Sequence, residues 1–213
     1  YKQTTVRRRI VRRMLMLKVS CIEDYLSYIT ENPSEQDLLF YDLLISVTAF
    51  FRDPPCFELL IKKLVPLLTE NKQGNEPIRI WVAGCSTGQE PYSIAIALHE
   101  HFGSLLSQQR IQIFATDISD KSVKIARNGI YHKKEMEGVS PVRLSRYFEK
   151  SKDHFIVSKS IRDLCVFAVH NFLKDPPFAR MDLISCRNVM IYFRPFLQKK
   201  ALAVFHYALR EKG

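Results

Sequence analysis

The sequence GCSTG at residues 84–88 is the first segment whose residue types could form a ligand site. It separates an apolar run that predicts a strand, Ile78 to Ala83, from a run that predicts a helix, Glu90 to Leu106. Gly84 and Gly88 allow a tight turn and a close approach of the backbone to a ligand at a helix N-terminus. Many α/β domains have glycine at such a turn, so the motif alone is a weak sign. It has neither the Gly-Lys-Ser/Thr of a Walker A motif nor the spacing G-x-G-x-x-G, which argues against a phosphate site.

Polar residues at the ends of later predicted strands extend this candidate site. Asp117 follows the predicted strand Ile111 to Thr116, and Asn171 and Asn188 follow the two predicted strands after it. The carboxyl ends of parallel strands meet at one edge of the sheet, where open α/β sheets bind their ligands. An acid at the end of the second strand can accept hydrogen bonds from both hydroxyls of a ribose. This set of polar residues at the strand ends therefore favours a nucleoside ligand, although Asp117 could instead cap the helix that follows it.

The cysteines and histidines do not suggest a metal site or a catalytic nucleophile. The five cysteines are scattered and never spaced C-x-x-C, which disfavours a disulfide framework and a zinc site and predicts reduced, mostly buried thiols. His99 and His101 are two residues apart, and a helix would point them in different directions. The sequence contains no recognisable Ser/His/Asp or Cys/His arrangement. We therefore predict no metal ligands.

Three short helices are predicted before about residue 46, and the first of them is strongly basic. It spans residues 4–18, is capped by Thr4 or Thr5, and places apolar residues at helical spacing opposite its cations. Residues 1–18, which include this helix, contain no acid and seven basic residues: Lys2, Arg7, Arg8, Arg9, Arg12, Arg13 and Lys18. They supply most of the net charge of +10, so the basicity belongs to one segment and not to the whole surface. The charged face is either a docking surface or an ordinary solvated face.

The second and third helices follow from local start and stop signals. Ser20 with Glu23 three residues later is a capping-box pattern, and Asn32 and Pro33 end that helix. Ser34 to Asp37 begins the third helix. These three helices predict a small all-α subdomain.

The next segment connects the helices to the rest of the chain. Val47 to Phe51 is β-prone, and Asp53 followed by two prolines predicts an N-cap and a helix from Cys56 to Leu68. Asn71 to Pro77 is a polar, glycine-containing linker.

Beyond about residue 77 the pattern changes to alternating strands and helices, which is typical of a parallel α/β sheet. Residues 130–165 interrupt it with a short helix from Pro141 to Tyr147 and β-prone runs at 155–157 and near Ile161, and are interpreted as an insert. The predicted fold is a Rossmann-like α/β sheet with a small all-α N-terminal subdomain and a small inserted β subdomain. The predicted boundaries are 1–46 for the helical subdomain, 47–76 for a linker and the first helix of the larger domain, and 77–213 for the ligand-binding domain.

Four segments resemble, in order, the motifs of CheR-type methyltransferases: TAFFR at 48–52, GCSTGQEPY at 84–92, ATDI at 115–118 and CRNVMIYF at 186–193. The resemblance extends over about the whole chain. It implies S-adenosylmethionine as cofactor, S-adenosylhomocysteine as product, and methyl esterification of glutamate side chains on chemotaxis receptors. The implied cofactor-binding residues are Thr48, Arg52, Gly84, Glu90, Asp117, Asn171, Phe172, Arg187 and Asn188.

The resemblance also implies that Arg52 and Tyr192 lie nearest the transferred methyl group, as the catalytic residues. A glutamate carboxylate is already ionised at pH 7, so this reaction requires no general base. Arg52 could hold a carboxylate oxygen, or pair with Asp53 or another acid in a structural role. Tyr192 could orient the carboxylate, or be a core aromatic beside Phe193. Ser46 stands where the family often has asparagine, which leaves one cofactor contact unassigned.

The implied partners are the cytoplasmic helices of methyl-accepting chemotaxis receptors, docked by the basic helix at residues 4–18. In some family members the insert binds a receptor tether through a glycine-containing loop. The corresponding segment Lys150 to His154 is short and lacks glycine, which favours recognition without a tether.

Two other function classes are open. One is a module that senses S-adenosylmethionine or S-adenosylhomocysteine without turnover. The other is a nucleic-acid methyltransferase, which only the basic helix favours. Asp175 to Phe178 has the letters of an amino-methylating motif, which usually follows the fourth strand. Here these residues precede the predicted fourth strand, Met181 to Cys186, and the residues that follow it are Arg187 to Met190. We therefore interpret the match as coincidence and expect no nucleic-acid partner.

At 213 residues the chain can bury one substantial core, and no apolar run is long enough to span a bilayer. We expect a cytoplasmic protein without direct membrane insertion. The family's sheet has seven strands, and the sequence supplies about four before Gly213. We therefore expect one of two situations. Either the chain is a piece of a longer protein, or another chain, such as a second copy of this one, covers the otherwise exposed edge of the fourth strand at Leu183 and Ile184.

Overall fold

The structure is a computed structural model that describes residues 1–44, 47–70, 76–103 and 111–211, without the side chain of Glu70. Ser46, most of the predicted linker at 71–77, the predicted end of the helix at Leu106 and the last two residues lie outside the described part. The chain divides into two compact units. A helical unit comprises residues 1–46 and 188–199, and a larger α/β unit comprises residues 47–187 and 200–213.

The helical unit contains α1 (Gln3–Leu17), α2 (Ile22–Glu31) and α3 (Pro33–Leu43). Its caps differ from the prediction. α1 begins after Lys2 and not at Thr4 or Thr5. α2 is capped by Cys21 and not Ser20, because the Cys21 thiol accepts a backbone N–H of the first turn at 3.4 Å. A sulfur acceptor replaces the hydroxyl that cap preferences favour.

A buried polar cluster joins these three helices. The Arg13 guanidinium donates to both carboxylate oxygens of Glu35, at 2.9 Å from Nε and 2.5 Å from Nη2. The Tyr25 hydroxyl donates to Oε1 of Glu35 at 2.9 Å. The three residues are 7%, 3% and 3% exposed, respectively, and the hydrogen bond from Arg13 lowers the pKa of Glu35. Arg13 therefore lies inside the unit, which corrects its predicted place on the exposed basic face.

The α/β unit begins with an irregular loop at residues 47–53, although the sequence from Val47 to Phe51 is β-prone. Its aromatic residues are used for packing: the Phe50 ring lies edge-on to Tyr131 and Phe148, with centroids 5.0 and 5.4 Å away. Asp53 occupies the predicted cap position but makes no capping hydrogen bond. The following helix consists of α4 (Pro54–Leu59), a π-helical turn (Leu60–Leu64) and α5 (Val65–Glu70).

The remaining elements are β1 (Ile78–Ala83), α6 (Gln89–Phe102), β2 (Ile111–Asp117), α7 (Asp120–Asn128), β3 (Ile130–His132), α8 (Pro141–Tyr147), β4 (Phe148–Ser151), β5 (His154–Val157), α9 (Lys159–Arg162), β6 (Cys165–Val169), β7 (Leu183–Ser185) and α10 (Pro195–Ala208). Strands and helices alternate over much of this part of the chain, except that β5 follows β4, and β7 follows β6, without an α-helix between them. The division between the two units falls within α10.

β1, β2, β6 and β7 form one parallel sheet in the order β6-β2-β1-β7. β1 is central, and all its residues except Arg79 are buried. Burying each large apolar side chain stabilises the fold by about 1.5–3 kcal/mol. Ala83 pairs with Thr116 at the carboxyl ends of β1 and β2, so Gly84 and Asp117 emerge from the sheet side by side. The predicted Rossmann-like parallel sheet and all-α N-terminal part are confirmed.

The predicted insert contains a three-stranded antiparallel sheet in the order β3-β5-β4. The run near Ile161 is helical and not a strand, because Ile161 is buried from α9 against the core. Gly129 ends α7 in the left-handed conformation, which glycine adopts without steric cost at helix C-termini.

β7 lies at an edge of the parallel sheet, as expected for the fourth strand. On its outer side the described residues place only a parallel bridge between Met181 and Leu209. β7 is shorter than the predicted strand because Met181 is engaged in this bridge and Asp182 accepts the Arg79 N–H at 2.7 Å. Among the described residues, no helix combines the length and apolar character needed to cross a membrane.

Candidate functional site

The turn at residues 84–88 is held against the end of β2. The N–H groups of Gly84 and Cys85 both donate to the Thr116 carbonyl, at 2.7 and 2.9 Å. Gly88 has φ +96°, and a Cβ there would lie 2.8 Å from the Ala126 Cβ and 2.9 Å from the Tyr131 hydroxyl. Only glycine meets both requirements, since it tolerates positive φ and has no side chain. The turn therefore sits at the carboxyl end of β1, ahead of the N-terminus of α6.

Asp117 is bound to this turn. Its Oδ2 accepts the Ser86 N–H at 2.8 Å, and its Oδ1 accepts the Ser119 N–H at 2.9 Å. The cap of α7 is Ser119, whose hydroxyl oxygen accepts the Ser122 N–H at 3.2 Å, so Asp117 is not the helix cap. Burial raises the pKa of Asp117, and backbone N–H donors partly offset this. Two backbone bonds leave further lone pairs on the carboxylate for a ligand hydroxyl.

The Ser86 hydroxyl is the clearest sign that a polar ligand fits here. Its oxygen is buried and has no hydrogen-bond partner in the described part of the chain. Buried hydroxyls in proteins are almost always hydrogen-bonded. The unpaired hydroxyl belongs to the same residue whose N–H binds Asp117, and it fits a nucleoside cofactor with hydrogen-bonding groups.

Glu90 lies in the first turn of α6, facing the end of β7. Ser185 donates its hydroxyl to Glu90 Oε1 at 2.5 Å. Burial raises the pKa of Glu90, while the Ser185 hydrogen bond and the positive charges of Arg187 and Arg52 lower it. Glu90 is therefore an acceptor within electrostatic reach of two guanidinium groups.

Arg187 braces the loop that carries Arg52. Its Nη2 donates to the Arg52 carbonyl at 2.7 Å and to Asp53 Oδ2 at 2.8 Å. The Arg52 guanidinium donates to the Val47 carbonyl at 2.9 Å. Asp53 is thus the ion-pair partner of Arg187, and the alternative that paired it with Arg52 is wrong.

Two contacts fix the same loop from the other side. The Phe51 N–H donates to the Ser93 hydroxyl at 2.9 Å, and the Arg143 guanidinium lies 3.9 Å over the Phe51 ring. A Cβ on Gly138 would lie 2.3 Å from the Phe50 carbonyl oxygen, so the insert touches the loop backbone directly. Phe51 has φ +49°, a conformation that L residues rarely adopt and that these contacts hold in place.

The other predicted residues of the α/β unit lie near this region or in the core. The His170 N–H donates to the Asp117 carbonyl at 3.0 Å, which places Asn171 next to the end of β2. Asn171 Oδ1 accepts the Leu173 N–H at 3.1 Å. Phe172 is buried, and its ring centroid is 5.3 Å from that of Phe205. Thr48 is half-buried in the 47–53 loop.

Asn188 and Tyr192 belong to the helical unit. Asn188 is exposed with φ +60°. Tyr192 is half-buried, and its carbonyl accepts the Lys2 N–H at 2.8 Å. Its ring centroid is 6.5 Å from that of Tyr1, while Phe193 is the buried neighbour.

The cysteine thiols of the site region are not poised as nucleophiles. Burial raises the pKa of Cys85 and Cys165 far above the usual range, and that of Cys186 to about 12. Cys85 is buried and Cys165 and Cys186 are half-buried, but Cys56 is exposed, contrary to the general prediction. The described residues contain no group of three or more metal-ligating side chains.

Sequence reasoning missed the polar residues that support the site. Ser185 orients Glu90, and Asp53 and Ser93 hold the Arg52 loop. Ser185 ends β7, so the rule that polar residues at strand ends form the site could have found it. Asp53 was explained as a helix cap, and nothing local points to its distant partner.

Comparison with known proteins identifies the family. Residues 46–213 match the model described as CheR methyltransferase, SAM binding domain, and residues 1–44 match CheR methyltransferase, all-alpha domain. The chain is 34% identical over 218 residues to "Chemotaxis protein methyltransferase 2" of Pseudomonas aeruginosa, covering 100% of this chain and 76% of that protein. It is 38% identical over 213 residues to "Uncharacterized 104.1 kDa protein in hypE 3'region" of Rhodobacter capsulatus, of which it spans 22%.

Among solved structures, the citrinin polyketide synthase CMeT domain is 18% identical with a TM-score of 0.48, covering 88% of this chain and 40% of that one. Two family models together cover nearly the whole chain, and the first of them is a binding domain for the cofactor. The chain belongs to the CheR family of S-adenosylmethionine-dependent methyltransferases.

Proposed function

We propose that the protein transfers a methyl group to glutamate side-chain carboxylates of chemotaxis receptors, giving methyl esters and S-adenosylhomocysteine. The observation that supports this most is the half-buried Arg52, held on a braced loop within electrostatic reach of Glu90. A fixed guanidinium suits a carboxylate substrate, which it can hold through two parallel hydrogen bonds. The names of the chemotaxis relatives agree with this choice.

Bound S-adenosylmethionine supplies an electrophilic methyl group on a sulfonium. In the proposed reaction a carboxylate oxygen of the substrate forms a bond to the methyl carbon while the carbon–sulfur bond breaks. The electron pair of the broken bond stays on sulfur. No proton moves, because the carboxylate is ionised at pH 7. The protein's task is therefore to align the carboxylate and to exclude water.

The cofactor-binding roles of the predicted residues are part of this proposal. Within the α/β unit, Asp117 and Glu90 are the candidate acceptors for ligand hydroxyl or amino groups, and Gly84 permits close approach of the backbone. In addition to its proposed role in cofactor binding, Arg187 holds the Arg52 loop in place. We retain Thr48, Asn171, Phe172 and Asn188 as cofactor-binding and Tyr192 as catalytic on the strength of the motifs alone.

The proposal also covers organisation and partners. We assign residues 1–46 to a helical subdomain, 47–76 to the entry of the catalytic domain and 77–213 to the cofactor-binding domain, in a cytoplasmic protein. Arg7, Arg8 and Arg12 are exposed on α1 and are the candidates for docking to acidic receptor helices. The turn between β4 and β5 is only Lys152 and Asp153, which supports receptor recognition without a tether.

The test is incubation with S-adenosylmethionine labelled in the methyl group and receptor cytoplasmic fragments. We expect label in the receptor that mild base releases as methanol, as an ester requires. Label stable to base would contradict the proposal and indicate nitrogen methylation. Cofactor binding without any transfer to receptor fragments would instead support a sensing module.

Replacing Asp117 by alanine is expected to weaken binding of S-adenosylmethionine and S-adenosylhomocysteine by about 2 kcal/mol, through loss of a charged acceptor. Calorimetry measures both affinities. Asp120→Ala is the matched control, because Asp120 is exposed three residues later and pairs only with Lys124 in the described contacts. Thermal unfolding verifies that Asp117→Ala is folded. Equal affinities in the two variants would remove Asp117 from the cofactor site.

A further inference from the structure

The insert carries two histidines side by side on its antiparallel sheet. His132 of β3 and His154 of β5 are register partners, and their ring centroids lie 4.1 Å apart. The Val157 N–H donates to the Gly129 carbonyl at 2.9 Å, and the Lys133 N–H to the Asp153 carbonyl at 3.1 Å. Hydrogen-bonded and non-hydrogen-bonded pairs alternate along such strands, so the histidines form a non-hydrogen-bonded pair, in which side chains lie closest.

The pair faces away from the core. Tyr131 and Val157, on the opposite face of β3 and β5, are both fully buried. His132 is exposed and His154 half-buried, so a solute can reach both rings. On the same outer face, β4 places Ser151 opposite His154 and Glu149 opposite Ile156.

We propose that His132 and His154 together bind one transition-metal ion of the zinc, nickel or copper type, with one imidazole nitrogen each. Imidazole suits these ions, whereas magnesium and calcium take oxygen ligands. Metal–nitrogen bonds of about 2.0–2.1 Å require two ring nitrogens about 3 Å apart. Rings already 4.1 Å apart reach this by small side-chain rotations, without moving the strands.

Water completes the coordination, because the described residues contain no group of three or more ligating side chains. The ion would link β3 to β5 and stabilise the insert by an amount that grows with the logarithm of the free ion concentration above the dissociation constant. This site does not involve the residues proposed for methyl transfer, so its test is independent of that function.

The experiment is calorimetric titration of the full chain, without a polyhistidine tag and in non-coordinating buffer, with zinc and nickel chloride. We expect one ion per chain, with affinity at least ten-fold weaker in His132→Ala and in His154→Ala. His206→Ala is the matched control, since His206 is exposed on α10, and it should leave the affinity unchanged. Magnesium chloride should give no saturable heat at this site.

Thermal unfolding supplies a second readout. Saturating zinc should raise the midpoint of the wild type and of His206→Ala but not of either site variant. His132→Gln replaces His132→Ala if the latter is unfolded without metal. Unchanged zinc affinity in both site variants, or an equal loss in His206→Ala, would overturn the proposal.

Discussion

Replacing Arg52 by alanine is expected to slow methyl transfer about 100-fold or more, while affinity for S-adenosylhomocysteine changes little. The reason is that the guanidinium would hold the attacking carboxylate, and misalignment of a reacting group alone lowers the reaction rate about 100-fold. An interaction needed mainly in the transition state affects kcat more than ligand binding. Labelled methyl transfer to receptor fragments and calorimetry with S-adenosylhomocysteine measure the two effects separately.

Arg52→Lys is the matched variant for this experiment. It keeps the charge but loses the planar pair of donors, so its rate should fall between wild type and Arg52→Ala. A parallel loss of transfer and of S-adenosylhomocysteine affinity would assign Arg52 to cofactor binding alone. Wild-type transfer in Arg52→Ala would exclude it from catalysis.

Replacing Glu35 by alanine should destabilise the helical unit by about 3–5 kcal/mol, because the buried Arg13 guanidinium loses both carboxylate hydrogen bonds and keeps only the Asp42 carboxylate, 3.9 Å from its Nη1. The Tyr25 hydroxyl loses its acceptor in the same variant. Denaturant unfolding followed by circular dichroism measures the change. Asp37→Ala is the control, because Asp37 is exposed on the same helix and its loss should cost less than about 0.5 kcal/mol.

The same ion pair predicts a pH dependence. Because the pKa of Glu35 is lowered in the folded state, its contribution is fully present above the unfolded value, about 4.3, and is lost as pH falls through the folded pKa. The wild type should therefore lose stability in this acidic range more steeply than Glu35→Ala.

In Arg13→Leu/Glu35→Leu both charges are removed, and this variant should be more stable than Glu35→Ala. A double variant no more stable than the single one would show that the unpaired charge is not the cause.

The parts of the fold that were predicted correctly are those that depend on residues close together in the sequence. Apolar runs of strand length and the glycines of the 84–88 turn act through neighbouring residues, so they can be recognised in sequence. The β-prone runs at 47–51 and near Ile161 form a loop and a helix in the structure. Their apolar side chains are used in packing against distant elements, which periodicity does not encode.

In the candidate site, individual residues at strand ends could be predicted from the sequence, but their long-range partners could not. Asp117 could be placed at a strand end, but its alternative role as a helix cap was excluded only by the hydrogen bonds of Ser119. Arg187 and Asp53 are 134 positions apart, and Glu90 and Ser185 are 95 apart. Such pairs depend on how the sheet is assembled and leave no trace in local sequence. For the same reason, Arg13 was counted among the exposed cations although its partner lies 22 residues away.

The contact of Gly138 with the Phe50 carbonyl has a practical consequence for protein engineering. A chimera that exchanges residues 130–157 for the insert of a relative must present a residue without a side chain at this point. Any larger residue would push on the backbone of Phe50, and Phe51 and Arg52 would move with it. The insert and the 47–53 loop should therefore be transplanted together, as one unit, into any recombinant enzyme.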